Sequence, residues 1–475
     1  MSRARVGAGL LLALAAGSAE LPAQSTWGVA VLEAGDSPDA HQEQLAVRDC
    51  LALVGVPFVA TRDVAHAVRR PFVVIAGGLT NRDFTSTERE ALYAYVERGG
   101  VVLATQVEGN MFFPLFGLTA AAQSRTNFRV TFHPAVDRAL RYVNRVEERT
   151  ISLGDPKHYS ETIWSTEYTV GAGTQVLGQY ETGAAALTLS AYGRGLAYAL
   201  GLGFKETSLI PQIARGYEAA RHWINWFEPS GDVFRLLVRA LYEATVNPFV
   251  LVHTVPAGKQ TGLCLSHDVD TRESFRNSLA FAQMEAGLGV RSTFFVTTKY
   301  FTDSTDIGYY TPDRVAWIRQ VQALGAEVGS HSVSHSQDFE AFPLGDSGVG
   351  VTTYDPTHPT IFGEARVSKQ LLDRDLHQHT IGFRSGYLRY PSDLLDVLEA
   401  AGYWFDSSVS AQWVLTNFPF FGFRHRRLGS PHSTVVEVPV TLDDSRGELE
   451  ARNFLTAETK DSVLHTWLDV IRANA

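Results

Sequence analysis

The chain has 475 residues, 45% of them hydrophobic and 19% charged, with 41 Lys and Arg against 51 Asp and Glu, a formal net charge of -10. It is too apolar to stay disordered and too long for one ordinary core, so two domains are expected. The acidic balance, with no long basic run, argues against nucleic acid as a partner and suits an uncharged or basic substrate.

In chain order, the first predicted element is a secretory signal peptide over residues 1–23. Arg3 and Arg5 precede the apolar stretch Val6 to Ala16, and the small residues Gly17-Ser18-Ala19 follow, with cleavage expected after Ala19 or Ala23. The apolar stretch is short for a bilayer and no Cys follows it to take a lipid, so the expectation is a secreted or periplasmic, cell-envelope protein with no stable membrane span. The two cysteines, Cys50 in a predicted helix and Cys264 in a predicted strand, sit among apolar neighbours and read as buried thiols.

From residue 25 to 246 the pattern alternates strand and helix. Gly28 to Leu32 is apolar, Pro38 to Leu53 has helical period, and Phe72 to Ala76 reads as a buried strand ending at Gly77-Gly78. Thr85-Ser86-Thr87-Glu88 is a capping box, and Gly99-Gly100 stops its helix before a strand from Val101 to Thr105. Short strands feeding helices imply a parallel sheet in an α/β sandwich. His133, His158 and His222 are isolated and read as core or surface residues.

The segments Val73-Val74-Ile75-Ala76-Gly77-Gly78 and Ala191-Tyr192-Gly193-Arg194-Gly195-Leu196-Ala197 loosely resemble the class I glutamine amidotransferase-like fold. Where that family's catalytic members place a Cys after a central strand, this chain has Ala104-Thr105-Gln106-Val107-Glu108-Gly109-Asn110. The half therefore reads as non-catalytic, either touching glycan or only packing as a scaffold. Asn247-Pro248 and Pro256-Ala257-Gly258 punctuate the chain, and the boundary is placed near residue 247.

The second domain, residues 256 to 475, carries the chemistry. A predicted strand from Thr261 to Ser266 runs into His267-Asp268-Val269-Asp270, placing two carboxylates at a strand end, where α/β enzymes gather catalytic groups; such pairs also cap helices. A strand from Ser292 to Thr297 and a helix from Pro312 to Leu324 follow. Then Glu327-Val328-Gly329-Ser330 leads into His331 and His335, which at four-residue spacing fall on one face of a helical turn and suit a metal ion.

With these segments in order, and with Phe383-Arg384-Ser385-Gly386-Tyr387, Gly402-Tyr403-Trp404-Phe405-Asp406-Ser407-Ser408 and Val436-Glu437-Val438-Pro439-Val440 after them, this half resembles the polysaccharide deacetylase (NodB-homology) family. The resemblance implies a distorted (β/α) barrel and a divalent metal, zinc above others, held by Asp270, His331 and His335. It further implies Asp268 as general base, Arg384 as its partner, and the Tyr387 backbone N–H as a donor to the oxyanion. The implied activity is removal of N-acetyl groups from a polysaccharide such as peptidoglycan, chitin-like or poly-N-acetylglucosamine chains, with O-acetyl ester hydrolysis on the same machinery as the alternative.

This sequence departs from the pattern in three places. Gly386 stands where many members have Pro, and the family's adjacent acidic pair is here Asp-Val-Asp. The family's late-strand His, its general acid, has only His465 as a counterpart, and Asp461 to Ala475 reads as a helix with Leu464, Trp467, Leu468 and Ile471 in one stripe. A further strand is expected where the chain ends, which would make this a fragment. His425 or His432 could stand in as acid. His267 reads as a strand-end polar residue, and the run Asn417-Phe418-Pro419-Phe420-Phe421-Gly422-Phe423 either stacks on sugar rings or closes the barrel end. Two other readings remain at this stage: a catalytically silent glycan-binding protein, and a glycosidase with Asp406 as second acid.

Overall fold

The computed structural model describes residues 27–213, 225–303, 306–346, 353–444, 457 and 459–475. The signal-peptide residues 1–23 and His222 lie outside them. The chain forms two compact units, the first comprising the residues up to Thr261 together with Leu415–Phe418 and those from Asp444 onward, the second Gly262–Val414 and Pro419–Asp443.

The first unit opens with β1 (Val29–Glu33), α1 (Pro38–Leu53), β2 (Phe58–Thr61), β3 (Phe72–Ala76), α2 (Ser86–Glu97) and β4 (Val101–Thr105). These strands pair in parallel, in the order β2-β1-β3-β4. The apolar runs of β1, β3 and β4 are continuous because both faces are covered; every residue of β3 and β4 is buried. Ser37 caps α1 by accepting from the Ala40 N–H, and Thr85 and Glu88 close the expected capping box at α2.

Beyond β4 the sheet is not parallel throughout, contrary to expectation. It continues through β5 (Leu118–Ser124), β6 (Arg129–Phe132), β7 (Thr150–Ser152), β8 (Ser165–Val170), β9 (Gln175–Tyr180), β10 (Ala185–Tyr192) and β11 (Gly195–Leu200), whose mutual pairings are antiparallel. Only Gly193 and Arg194 join β10 to β11, too few for a crossover helix, and Gly193 takes the positive φ of 59° that a two-residue hairpin needs. β11 then pairs in parallel with β4. In α3 (Asp232–Thr245) the buried Asp232 carboxylate accepts from Arg235 at 3.0 Å, from the Thr416 hydroxyl at 2.6 Å and from the Asn417 N–H at 2.9 Å, which accounts for the membership of Leu415–Phe418 in this unit.

The second unit contains β12 (Ser266–Val269), α4 (Arg272–Gly287), β13 (Thr293–Val296), α5 (Pro312–Ala323), β14 (Glu327–Ser330), α6 (Ser368–Leu376), β15 (Gly382–Phe383), α7 (Leu394–Ala401), β16 (Phe405–Asp406), β17 (Phe420–Phe423) and β18 (His432–Glu437). Strand follows helix in alternation up to β16, the (β/α) succession expected from the sequence. The sheet runs β12-β13-β14-β15-β16-β18-β17, with only β17 antiparallel. Its core gathers Val269, Phe275, Phe294, Val296, Ile318, Val321, Val328 and Leu372 between sheet and helices.

Two expectations are corrected here. The first strand begins at Ser266 rather than Thr261, so His267 and Asp268 lie on it, and Cys264, ahead of the strand, is exposed rather than buried. Cys50 is buried, and both thiols are free. The helix α8 (Lys460–Asn474) carries His465 exposed on its surface in the first unit. Among the described residues no helix is long and apolar enough to cross a membrane.

Candidate metal centre and its surroundings

All the sequence-predicted site residues lie at the carboxyl ends of β12, β14 and β15. Asp268 is the third residue of β12 and Asp270 follows its end; His331 follows β14; Arg384 follows β15. In a parallel sheet these ends share one edge, and the register Val269↔Val296, Val296↔Ser330, Ser330↔Phe383 aligns them across four strands.

One ligand atom each from Asp270, His331 and His335 lies within 4.8 Å of the others. The His335 Nε2 is 3.6 Å from an Asp270 carboxylate oxygen, and the two imidazole centroids are 4.9 Å apart. The route to this cluster is not the helical turn the spacing suggested: His331 to His335 is a loop, with Ser332 at φ 63° and His335 at φ 54°. Both left-handed residues turn the chain so that rings four apart meet without a helix.

The protonation of this set suits a cation. His331 is buried, and its Nδ1 lies 2.9 Å from the Arg384 carbonyl oxygen; an N–H donated there leaves Nε2 with its lone pair toward the cluster. Burial pushes the His335 imidazole down to about 3, so it is neutral at any ordinary pH. One carboxylate and two imidazoles are the donors a zinc site with an open position uses, so the residues present fit such an ion.

Asp268 stands beside the triad. One carboxylate oxygen accepts from Arg384 Nη1 at 2.8 Å, and the other lies 3.8 Å from His331 Nε2. Burial pushes this carboxyl upward, but the Arg384 guanidinium, through its charge and its hydrogen bond, more than offsets it, leaving it below the ordinary carboxylate value. Its side chain is still 38% exposed, enough for a substrate or water to reach it. Arg384 is held in turn: Nε donates to the Ser407 carbonyl at 3.1 Å, Nη2 to the Ser407 hydroxyl at 2.9 Å, and the guanidinium lies 4.4 Å over the Phe295 ring.

Tyr387 sits on a turn at φ 56°, and its ring packs 4.5 Å from that of His335. The Ser385 N–H donates to the Ser408 hydroxyl at 2.9 Å, and that hydroxyl donates to Asp406 at 2.6 Å. Asp406 is therefore part of the framework behind the turn. A Cβ on Gly386 would lie 2.6 Å from His335 Cδ2, so the departure from Pro makes room for the imidazole.

Other candidates fall elsewhere. His267 turns to Glu285 of α4 at 2.7 Å and stacks on Phe294 at 4.6 Å, a structural role. His425 is bound by Asp393 at 2.8 Å at the start of α7, and His432 packs on Phe423 at 4.4 Å. Phe420 and Phe423 are buried in β17, so they form no sugar platform. Sequence reasoning gave no role in the site to Ser407, Ser408 or Glu364. The first two lie in a quoted motif with no chemistry to mark them, and Glu364 sits in an apolar run, Ile361-Phe362-Gly363, where a lone acid was the only signal.

Residues 280–405 match the family model described as polysaccharide deacetylase, a span that includes His331, His335, Arg384 and Tyr387 and starts after Asp268 and Asp270. No curated protein matches the chain. Among solved structures it is similar to one assigned to the polysaccharide deacetylases from Mycobacterium smegmatis, at 16% identity over 46% of this chain and 74% of that one, with a TM-score of 0.33. It is also similar to the Streptococcus pyogenes deacetylase PplD in complex with acetate, at 16% identity over 39% and 66%, TM-score 0.24. A third is a CE4 family pseudoenzyme from Bacillus anthracis, at 11% identity over 47% and 68%, TM-score 0.25. The chain carries a polysaccharide deacetylase domain, matched over residues 280–405.

Proposed function

We propose that the second unit is a metal-dependent hydrolase that removes N-acetyl groups from an extracytoplasmic polysaccharide, of the peptidoglycan, chitin-like or poly-N-acetylglucosamine kind. The observation that carries this reading is the Asp268 carboxylate, fixed by Arg384 at 2.8 Å beside a donor set of Asp270, His331 and His335. Asp270, His331 and His335 would hold the ion, zinc above others, which when bound would supply Lewis acidity for the acetyl carbonyl and for a water. Asp268, ionised at neutral pH, accepts the proton of the attacking water. The N–H of Tyr387 is the donor assigned to the developing oxyanion. Asp268, once protonated, is also the group in place to return the proton to the leaving nitrogen. The extracytoplasmic setting rests on Arg3, Arg5 and the apolar stretch after them.

O-acetyl ester hydrolysis is the second reading, favoured by His465 standing exposed on a helix and not on a late strand, because an alcohol leaves with less need of a separate acid than an amine does. The test is acetate release from N-acetylated and O-acetylated oligosaccharides by zinc-loaded protein. Chelation is expected to abolish it, and Asp268→Asn to lower kcat roughly 10²- to 10⁴-fold with zinc retained. Acetate release indifferent to both treatments sinks the mechanism.

A further inference from the structure

The loop from His331 to His335 carries two of the three donors but is a poor candidate to hold itself. Two of its residues adopt a backbone conformation that L side chains disfavour; only its start is tied to the neighbouring segment, by the His331 N–H on the Val296 carbonyl at 2.9 Å and the Thr298 N–H on the Ser332 carbonyl at 3.1 Å. The middle of the loop, Val333 and Ser334, is supported from 29 residues beyond His335 in the chain. Glu364 is 1% exposed, in the helical turn Gly363–Val367 that leads into α6. One of its carboxylate oxygens accepts from the Val333 N–H at 2.7 Å and the Ser334 N–H at 2.9 Å. The other accepts from the Ser334 hydroxyl and from the Tyr354 hydroxyl at 2.5 Å.

Four donors therefore converge on one buried carboxylate, close to the most that its lone pairs accept. A buried charge without such donors is costly, so the arrangement holds only while the loop keeps its shape. The brace extends further. Tyr354 stacks on Phe301 at 5.3 Å, and its N–H donates to the Tyr300 hydroxyl at 3.1 Å, tying the segment after β13 to the same carboxylate. Burial and the Glu364 charge push the Tyr354 hydroxyl upward, so it remains a donor.

We propose that Glu364 is the positioning residue of the metal site: it touches neither donor ring but fixes the loop between His331 and His335, and through it the spacing of the two imidazoles and the affinity for the ion. This rests on the metal-dependent reading above. It assigns to a carboxylate outside the recognised motifs the role of orienting metal-binding side chains without touching the ion.

The test is zinc titration of the metal-free full chain against a chromophoric chelator, with melting of the metal-free protein followed in parallel. Glu364→Ala is expected to weaken zinc binding about 10- to 100-fold. Glu364→Gln falls between it and the wild type, because its amide oxygen still accepts both N–H groups while its NH₂ donates to the two hydroxyls. Tyr354→Phe, which removes one donor and keeps the ring stack, covers the case in which Glu364→Ala does not fold. A merely structural role lowers the metal-free melting temperature and leaves zinc affinity unchanged; that result in Glu364→Gln and Tyr354→Phe overturns the proposal. Wild type that binds zinc without releasing acetate overturns deacetylation alone, whereas wild type that binds no zinc overturns the metal reading and this proposal together.

Discussion

At Gly386 a single hydrogen decides whether a metal donor fits. A methyl group there would meet the His335 ring at 2.6 Å and 3.0 Å, inside van der Waals contact, and the ring cannot retreat toward Tyr387, whose own ring packs on it at 4.5 Å. Gly386→Ala is therefore expected to cost about 1–3 kcal/mol of stability and to weaken zinc binding, both read from denaturant unfolding and zinc titration. Unchanged zinc affinity would mean that the ring moves freely. The chemistry-bearing residues were legible because catalysis uses few residue types at strand ends: Asp268, Asp270, His331, His335 and Arg384 converge in the structure. Ser407 and Glu364 were not, because a serine that holds an arginine or a glutamate that holds a loop differs from any other only in what folds against it.

At the scale of elements, β16 and β18 place two carboxyls in register, Asp406 opposite Glu437, both buried. Burial pushes Asp406 up to about 6, and burial together with the charge of Asp406 pushes Glu437 well above the carboxylate range, with the Tyr390 hydroxyl donating to Glu437 at 2.6 Å. A carboxyl raised on folding favours the protonated native state, so its contribution is complete below an unfolded value near 4 and is lost as pH rises through about 6. The second unit's melting temperature is expected to fall from pH 4 to pH 7, and Asp406→Asn to flatten that slope; an equally steep slope in the variant refutes it. The sequence showed these two strands but not the pair, since register across a sheet cannot be seen along one chain. It also read the His331 to His335 spacing as a helical turn, when two left-handed residues bring the rings together in a loop. Spacing constrains which side chains can meet and leaves open how the backbone gets there.

For the whole molecule, the donor triad belongs entirely to the second unit. Zinc at 100 times its dissociation constant is therefore expected to stabilise that unit by about 2.7 kcal/mol. Scanning calorimetry should show one transition rising with zinc and the other fixed; two transitions that rise together would place the ion's influence beyond its own unit. The early βα elements of the first unit were legible from period and caps, and α1 and α2 match them closely. Its later antiparallel strands were not, because short strands joined by tight turns carry little of the signal that a capped helix does. The chain path adds a constraint of inheritance. Leu415–Phe418 and the residues from Asp444 belong to the first unit although they are encoded within and after the second, so the polypeptide changes unit four times. No single crossover between genes could therefore exchange either unit for a homologous one intact; a swap at residue 261 would carry along the Thr416 and Asn417 that bind Asp232. The two units are expected to change partners as a pair, and hybrid genes joined at that point to lose the buried ion pair of Asp232 and Arg235 as a satisfied network.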